Sequence, residues 1–136
     1  MSNQLGPGNL QSILESVQIQ TTHALPATAN YVAAGTAAAA TTAILATYGN
    51  TAASYAVPSN GTVNVAVAVS AAVTLTMTRN AGVGSPSYNA LNDNNALTAS
   101  TEYAFSVPMR SGETLDFELS GAATINVFDV FFVPAQ

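Results

Sequence analysis

Tyr103, Phe105 and Val107 alternate with Ala104 and Ser106, and a few residues later Leu115, Phe117 and Leu119 alternate with Asp116 and Glu118. A period of two places the large side chains on one face of a β-strand, whereas a helix would scatter them around its axis. Pro108 has no N–H to give to a ladder and is expected to end the first of these strands. Arg110-Ser111-Gly112-Glu113 supplies the turn between them, with Gly112 suited to a positive φ. A third run, Thr124 to Val133, follows Ser120-Gly121.

The same order of signals occurs earlier. Tyr55-Ala56-Val57-Pro58, then Asn60-Gly61-Thr62, the alternating Val63, Val65, Val67 and Val69, and Ser70 to Leu75 parallel the series Tyr103 to Val107, Pro108, Gly112, Leu115 to Leu119 and Ser120 to Ile125. A duplicated strand–turn–strand–turn–strand unit in a chain of 136 residues points to a sandwich of two similar halves, because a solenoid needs three or more repeats.

Elsewhere the pattern is weaker. Leu10, Ile13, Leu14 and Val17 stand at helical spacing, with Asn9 placed to cap, which predicts a two-turn helix too short to be stable without a surface to lie on. Val17, Ile19 and Thr21 also alternate, so an N-terminal strand competes with that helix. Residues 21–42 are small and polar and predict extended chain and loop, and Thr42 to Tyr48 predicts a strand closed by Gly49-Asn50. Val73, Leu75 and Met77 alternate with Thr74, Thr76 and Thr78. Residues 79–100, with Gly82, Gly84, Pro86 and Asn92-Asp93-Asn94-Asn95, form the longest expected loop. Seven or eight strands at this spacing predict an all-β chain, an antiparallel β-sandwich of jelly-roll type with a short N-terminal arm or helix. The division expected is an arm over residues 1–22 and a single sandwich domain over 23–136.

The last strand departs from simple alternation. Ile125, Val127, Phe131 and Val133 face one way with Asp129, and Phe128, Val130 and Phe132 face the other, so both faces carry bulk. Such a strand is either central and covered on both sides or in contact with another subunit. Charge decides how this is weighed. Only 7% of the residues are charged, against about 25% in ordinary soluble domains. A chain with so few ionic groups is expected to hide much of its surface against neighbours; the alternative is an exported protein wetted by Thr, Ser and Asn. The expected subunit contacts are Leu10, Ile13, Leu14 and Val17 on the N-terminal segment and Phe128, Val130 and Phe132 on the last strand.

A net charge of −5, with Arg79 and Arg110 the only basic side chains besides His23, argues against direct contact with nucleic acid, which requires clustered cations. The absence of cysteine excludes a disulfide framework, a thiolate zinc site and a cysteine nucleophile. No signal peptide is expected at the N-terminus. The Ala-rich stretch Ala33 to Ala46 is too short, and too interrupted by Gly35 and threonines, to span a membrane.

Little in the chain suggests bond chemistry. His23 has no carboxylate near it in sequence, and neither a P-loop nor a G-x-S-x-G elbow is present. Asp116 and Glu118 share a strand face, with Glu113 at the turn and Asp129 on a possible neighbour, a set that would suit a hard cation or a glycosidase pair; a solvated strand face is the favoured alternative. Asn92 to Asn95 lacks the spacing of a calcium loop. Asn60-Gly61-Thr62 matches a glycosylation sequon and equally a hairpin turn. No catalytic residue, cofactor or metal ligand is assigned, and the chain is not expected to be an enzyme.

The pattern Tyr103-x-Phe105-x-Val107-Pro108-x-x-Ser111-Gly112-Glu113-Thr114-x-x-Phe117, running into Thr124-Ile125-Asn126-Val127, resembles the closing strands of small jelly-roll structural proteins of viruses that infect bacteria and archaea. The resemblance covers about Tyr55 to Val133. Related patterns occur in trimeric tumour-necrosis-factor-like and C1q-like domains. The resemblance implies a virion component, whether capsid, decoration, cement or spike subunit, that assembles with itself and with other virion proteins. This chain departs from many coat proteins in lacking a basic N-terminal arm. Two other classes compete: an extracellular filament subunit assembled by strand exchange, and a carbohydrate-binding module, disfavoured by the absence of Trp.

Overall fold

The computed structural model describes residues 28–80 and 87–135. The strands are β1 (Thr28–Tyr31), β2 (Thr36–Ala38), β3 (Tyr55–Ala56), β4 (Gly61–Val69), β5 (Leu75–Asn80), β6 (Ser87–Ala90), β7 (Tyr103–Met109), β8 (Thr114–Leu119) and β9 (Ala123–Pro134). Among the described residues one short helix, α1 (Ile44–Tyr48), precedes β3, and one 3-10 turn spans Asn92–Asn94.

Two antiparallel sheets pack face to face. The first has the order β1-β9-β4-β7, with β2 also paired to β9, and the second has the order β3-β8-β5-β6. Much of the pairing follows from one long folded hairpin: β2 pairs with β9, β3 with β8, β4 with β7 and β5 with β6. Folding that ribbon over adds β4 to β9 and β5 to β8. The two copies of the repeat occupy the sheets in opposite order. Strands β3, β4 and β5 lie in the second, first and second sheets, and β7, β8 and β9 lie in the first, second and first.

The alternating residues fill the space between the layers. Val63, Val65, Val67 and Val69 of β4, Leu75 and Met77 of β5, Leu115, Phe117 and Leu119 of β8, and Ile125, Phe128 and Val130 of β9 are all buried. Phe117 and Phe128 meet edge to face across the layers, with ring centroids 5.2 Å apart. The turn between β7 and β8 is the expected one: Gly112 has φ +86°, and the Glu113 N–H donates to Arg110 O. Pro108 does not end β7, which continues to Met109. Among the described residues β7 pairs only with β4 and lies at the edge of its sheet, so the missing N–H leaves no gap in a ladder.

Gly61 opens β4 where the backbones crowd. A Cβ there would lie 2.3 Å from Val133 O and 2.9 Å from the Phe132 ring, so glycine is required by contact. Asn60-Gly61-Thr62, expected as a hairpin turn, instead leads from β3 in the second sheet to β4 in the first, and Asn60 ties it to distant chain, its Oδ1 accepting the Ser111 N–H and its carbonyl the Ala135 N–H.

The strand expected over Thr42 to Tyr48 is replaced by α1. Strand β3 is two residues long and pairs with Leu115 and Thr114 alone, which leaves the rest of that side of β8 to be covered. The chain from Thr41 supplies the cover: the Thr41 N–H donates to Leu119 O, and Ile44 and Leu45 are buried in the core. Asp116 holds the segment, accepting the N–H groups of Leu45 at 2.7 Å and Ala46 at 3.1 Å and the Ser54 hydroxyl at 2.7 Å. From the other sheet, buried Asn30 donates to Thr51 Oγ1 at 3.0 Å. Two buried polar side chains thus fix a segment whose own helical propensity is small.

The long loop expected over residues 79–100 is partly ordered by pairing: β6 adds to β5, and the Leu97 and Ser100 N–H groups donate to Val73 O and Val69 O. The arm expected over residues 1–22 lies outside the described residues.

Candidate subunit-contact surface

Strand β9 is central in its sheet, flanked by β1 and β2 on one side and β4 on the other. Its register shifts opposite Ala68 and Val69, where Val127 and Ile125 are the partners and Asn126 is the extra residue. A bulge of this kind reverses side-chain parity along one strand. Ile125 therefore points inward together with Phe128 and Val130, although strict alternation would place it on the opposite face.

This corrects the assignment of Phe128 and Val130 as subunit contacts. Both are fully buried by residues of their own chain, so neither is available to a neighbour. Phe132 is half-buried against the same core, with its ring centroid 6.4 Å from that of Tyr55. The contact candidates Leu10, Ile13, Leu14 and Val17, and also His23, lie outside the described residues.

The apolar surface is on the other side of the strand. Val127, Asp129, Phe131 and Val133 point out of the sandwich and remain partly exposed. The register continues this face across its neighbours. Thr62 stands beside Val133 and Pro108, Asn64 beside Phe131 and Ser106, and Ala66 beside Asp129 and Ala104. On the far side Tyr31, opposite Asp129, is 46% exposed. Among these outward positions Asp129 is the only ionic side chain. Ser106 and Asn64 satisfy each other at 2.6 Å. The result is a broad sheet face of small and apolar side chains with one carboxylate in it.

The carboxylates do not converge. Asp116 is buried as an anchor for α1, which corrects the favoured expectation of a solvated strand face at that residue, while Glu118 stays partly exposed beside Thr76. Asp129 belongs to the other sheet and faces away from it. Among the described residues no group of three or more His, Cys, Asp or Glu side chains is placed to hold a metal ion.

Two tyrosines sit in unlike surroundings. The Tyr103 hydroxyl accepts the Thr98 N–H at 2.9 Å, and hydrogen bonding with the Thr98 side chain, then with its backbone, lowers the phenol's pKa from the ordinary value. Burial raises that of Tyr55. Both pack against the core. Among the described residues no helix is long and apolar enough to cross a membrane.

Sequence reasoning identified β9 as a strand with two bulky faces but placed the subunit contact on the Phe128, Val130 and Phe132 side, which the fold turns inward. The signal that would have corrected it is Asn126, a polar residue between Ile125 and Val127 that marks the bulge. No protein-family model, curated protein or solved structure matches this chain.

Proposed function

We propose that this chain is a structural virion protein, a capsid, minor capsid, decoration or cement subunit that acts by assembling with copies of itself and with other virion proteins. The observation that carries this reading is the outer face of the first sheet, where Val127, Phe131, Val133 and Tyr31 lie among small side chains with a single carboxylate. An apolar sheet face of that extent is suited to burial against another subunit. The low content of charged residues supports the same reading.

The fold supports it at a second level. Among the described residues eight strands result when β1 and β2 are taken as one interrupted strand, and the nested pairing of β2 with β9 through β5 with β6 supports a jelly-roll reading of the sandwich, an architecture used by viral capsid domains. In this reading the mechanism is shape matching and burial, the location is the virion, and no bond is made or broken.

Sedimentation velocity on the purified full chain tests the proposal. The expected result is a discrete oligomer or larger assembly at micromolar concentration, lost in F131D while the β-rich circular dichroism spectrum is retained. A wild-type protein that sediments as a monomer at every salt concentration overturns it.

A further inference from the structure

Asp129 stands on the central strand of the first sheet, beside Ala66 and so near the midpoint of β4. Val127 and Phe131 share its face on β9, Tyr31 is its partner on β1, and Ala104 on β7 lies beyond Ala66. Of these neighbours Tyr31 alone titrates, and a phenol is neutral throughout the range in which carboxylates lose their protons. Strand β2 brings no ionisable side chain, and Glu102, immediately ahead of β7, is a second anion and not a counter-charge.

The chain has two arginines and no lysine, and the fold keeps both arginines away from that carboxylate. Arg79 belongs to the second sheet, where its Nη2 donates to Pro108 O at 2.9 Å. Ala104 stands level with Asp129 across Ala66, and a strand rise of ~3.4 Å per residue puts Arg110 roughly 20 Å further along. The area of the face suits a second copy of the chain. Strands β1, β9, β4 and β7 lie side by side and β4 runs from Gly61 to Val69. Two such faces stacked on each other bury about 1,200 Å², above the ~1,000 Å² that a specific contact needs. Each offers the other small and apolar side chains, as the inner layers of a sandwich do.

We propose that two copies pack outer face on outer face and that the contact takes up a proton at Asp129, so that self-association strengthens on acidification. This rests on the reading of that face as a subunit contact and adds its regulation. A two-fold axis near Asp129 brings the carboxylates of the two copies together and leaves each Arg110 at the rim. An ionised carboxylate is costly to bury without a cation, and two of them facing each other are costlier still; a bound proton removes that charge. The neutral form is favoured in the contact and the ionised form in the free chain. The contribution to association is therefore complete at low pH and is lost as pH rises through the titration of the pair.

Sedimentation velocity of the full chain and of D129N at about pH 7.5 and about pH 5.5, at matched ionic strength, tests the proposal; at both values exposed carboxylates stay ionised. The expected Kd of the wild type is at least about tenfold lower at the more acidic value. D129N, isosteric at a partly exposed position, associates at the higher pH at least as tightly as the wild type does at the lower. Its own Kd changes by less than about threefold between them. E118Q, which removes a carboxylate from the second sheet, keeps the wild-type response. Equal pH responses in the wild type and D129N, with F131D monomeric, overturn the proposal and leave the contact surface standing. Association that weakens on acidification places a partner's cation at Asp129 and overturns it too. Monomers of both proteins at both pH values overturn the contact surface and this proposal with it.

Discussion

Asp116 on β8 accepts the backbone N–H of Leu45 at 2.7 Å, joining residues 71 positions apart. The same carboxylate takes the Ala46 N–H, the Ser54 hydroxyl and the Phe117 N–H. Replacing Asp116 with Ala leaves several buried donors without a partner, and the expected loss is about 3 kcal/mol of folding stability. S54A removes one of those bonds and is expected to cost about 1 kcal/mol. Urea denaturation of the two variants checks both values.

Gly61 and Phe128 test how tightly the first sheet is packed. G61A drives a methyl group onto Val133 O and the Phe132 ring, and a loss of about 2 kcal/mol is expected, seen as a lower Tm. The comparison that separates core from contact surface is F128A against F131A. F128A empties a fully buried site and is expected to cost about 4 kcal/mol. F131A is expected to cost less than about 1 kcal/mol in the monomer while weakening self-association, which sedimentation alongside denaturation resolves. Equal destabilisation by both, with association unchanged, would count against the outer face as a contact.

Tyrosinate absorbance follows the two shifted phenols. Tyr103 is expected to ionise below ~10 and Tyr55 above it. Because the folded value is lowered at Tyr103, its contribution to stability is present above the unfolded value and is lost as pH falls through the folded one. At Tyr55 the sign reverses. Its contribution is complete below the unfolded value of ~10 and declines as pH rises through the folded value. Y103F should remove the early component of the titration and Y55F the late one.

Removal of residues 2–21 distinguishes two modes of assembly. If neighbours meet through the sheet face around Phe131, the shortened chain still forms its oligomer. A filament built by strand exchange falls apart into monomers. Native mass spectrometry of the shortened chain reads the difference.

What was legible in the sequence was whatever depended on neighbours along the chain. The alternation in Tyr103 to Val107 and Leu115 to Leu119, and the turn at Gly112, are local properties and stand in the structure where the residues indicate. The helix at Ile44 was not legible, because the group that satisfies its first N–H groups comes from Asp116 on a distant strand. The contact face of β9 was misassigned because both faces carry bulk and pattern counting carries no information about which one meets the other sheet, while the extra residue Asn126 turns Ile125 to the side opposite the one alternation gives it.

The nested hairpin also makes one strand the fastening of its sheet. Strand β9 stands in the middle, so β1, β2 and β4 have no common partner until it docks. Pairings between distant parts of a chain form slowly. The first sheet therefore stays open until β9 joins it, and whatever loosens that one strand sets β1 and β2 adrift and leaves β4 with β7 alone.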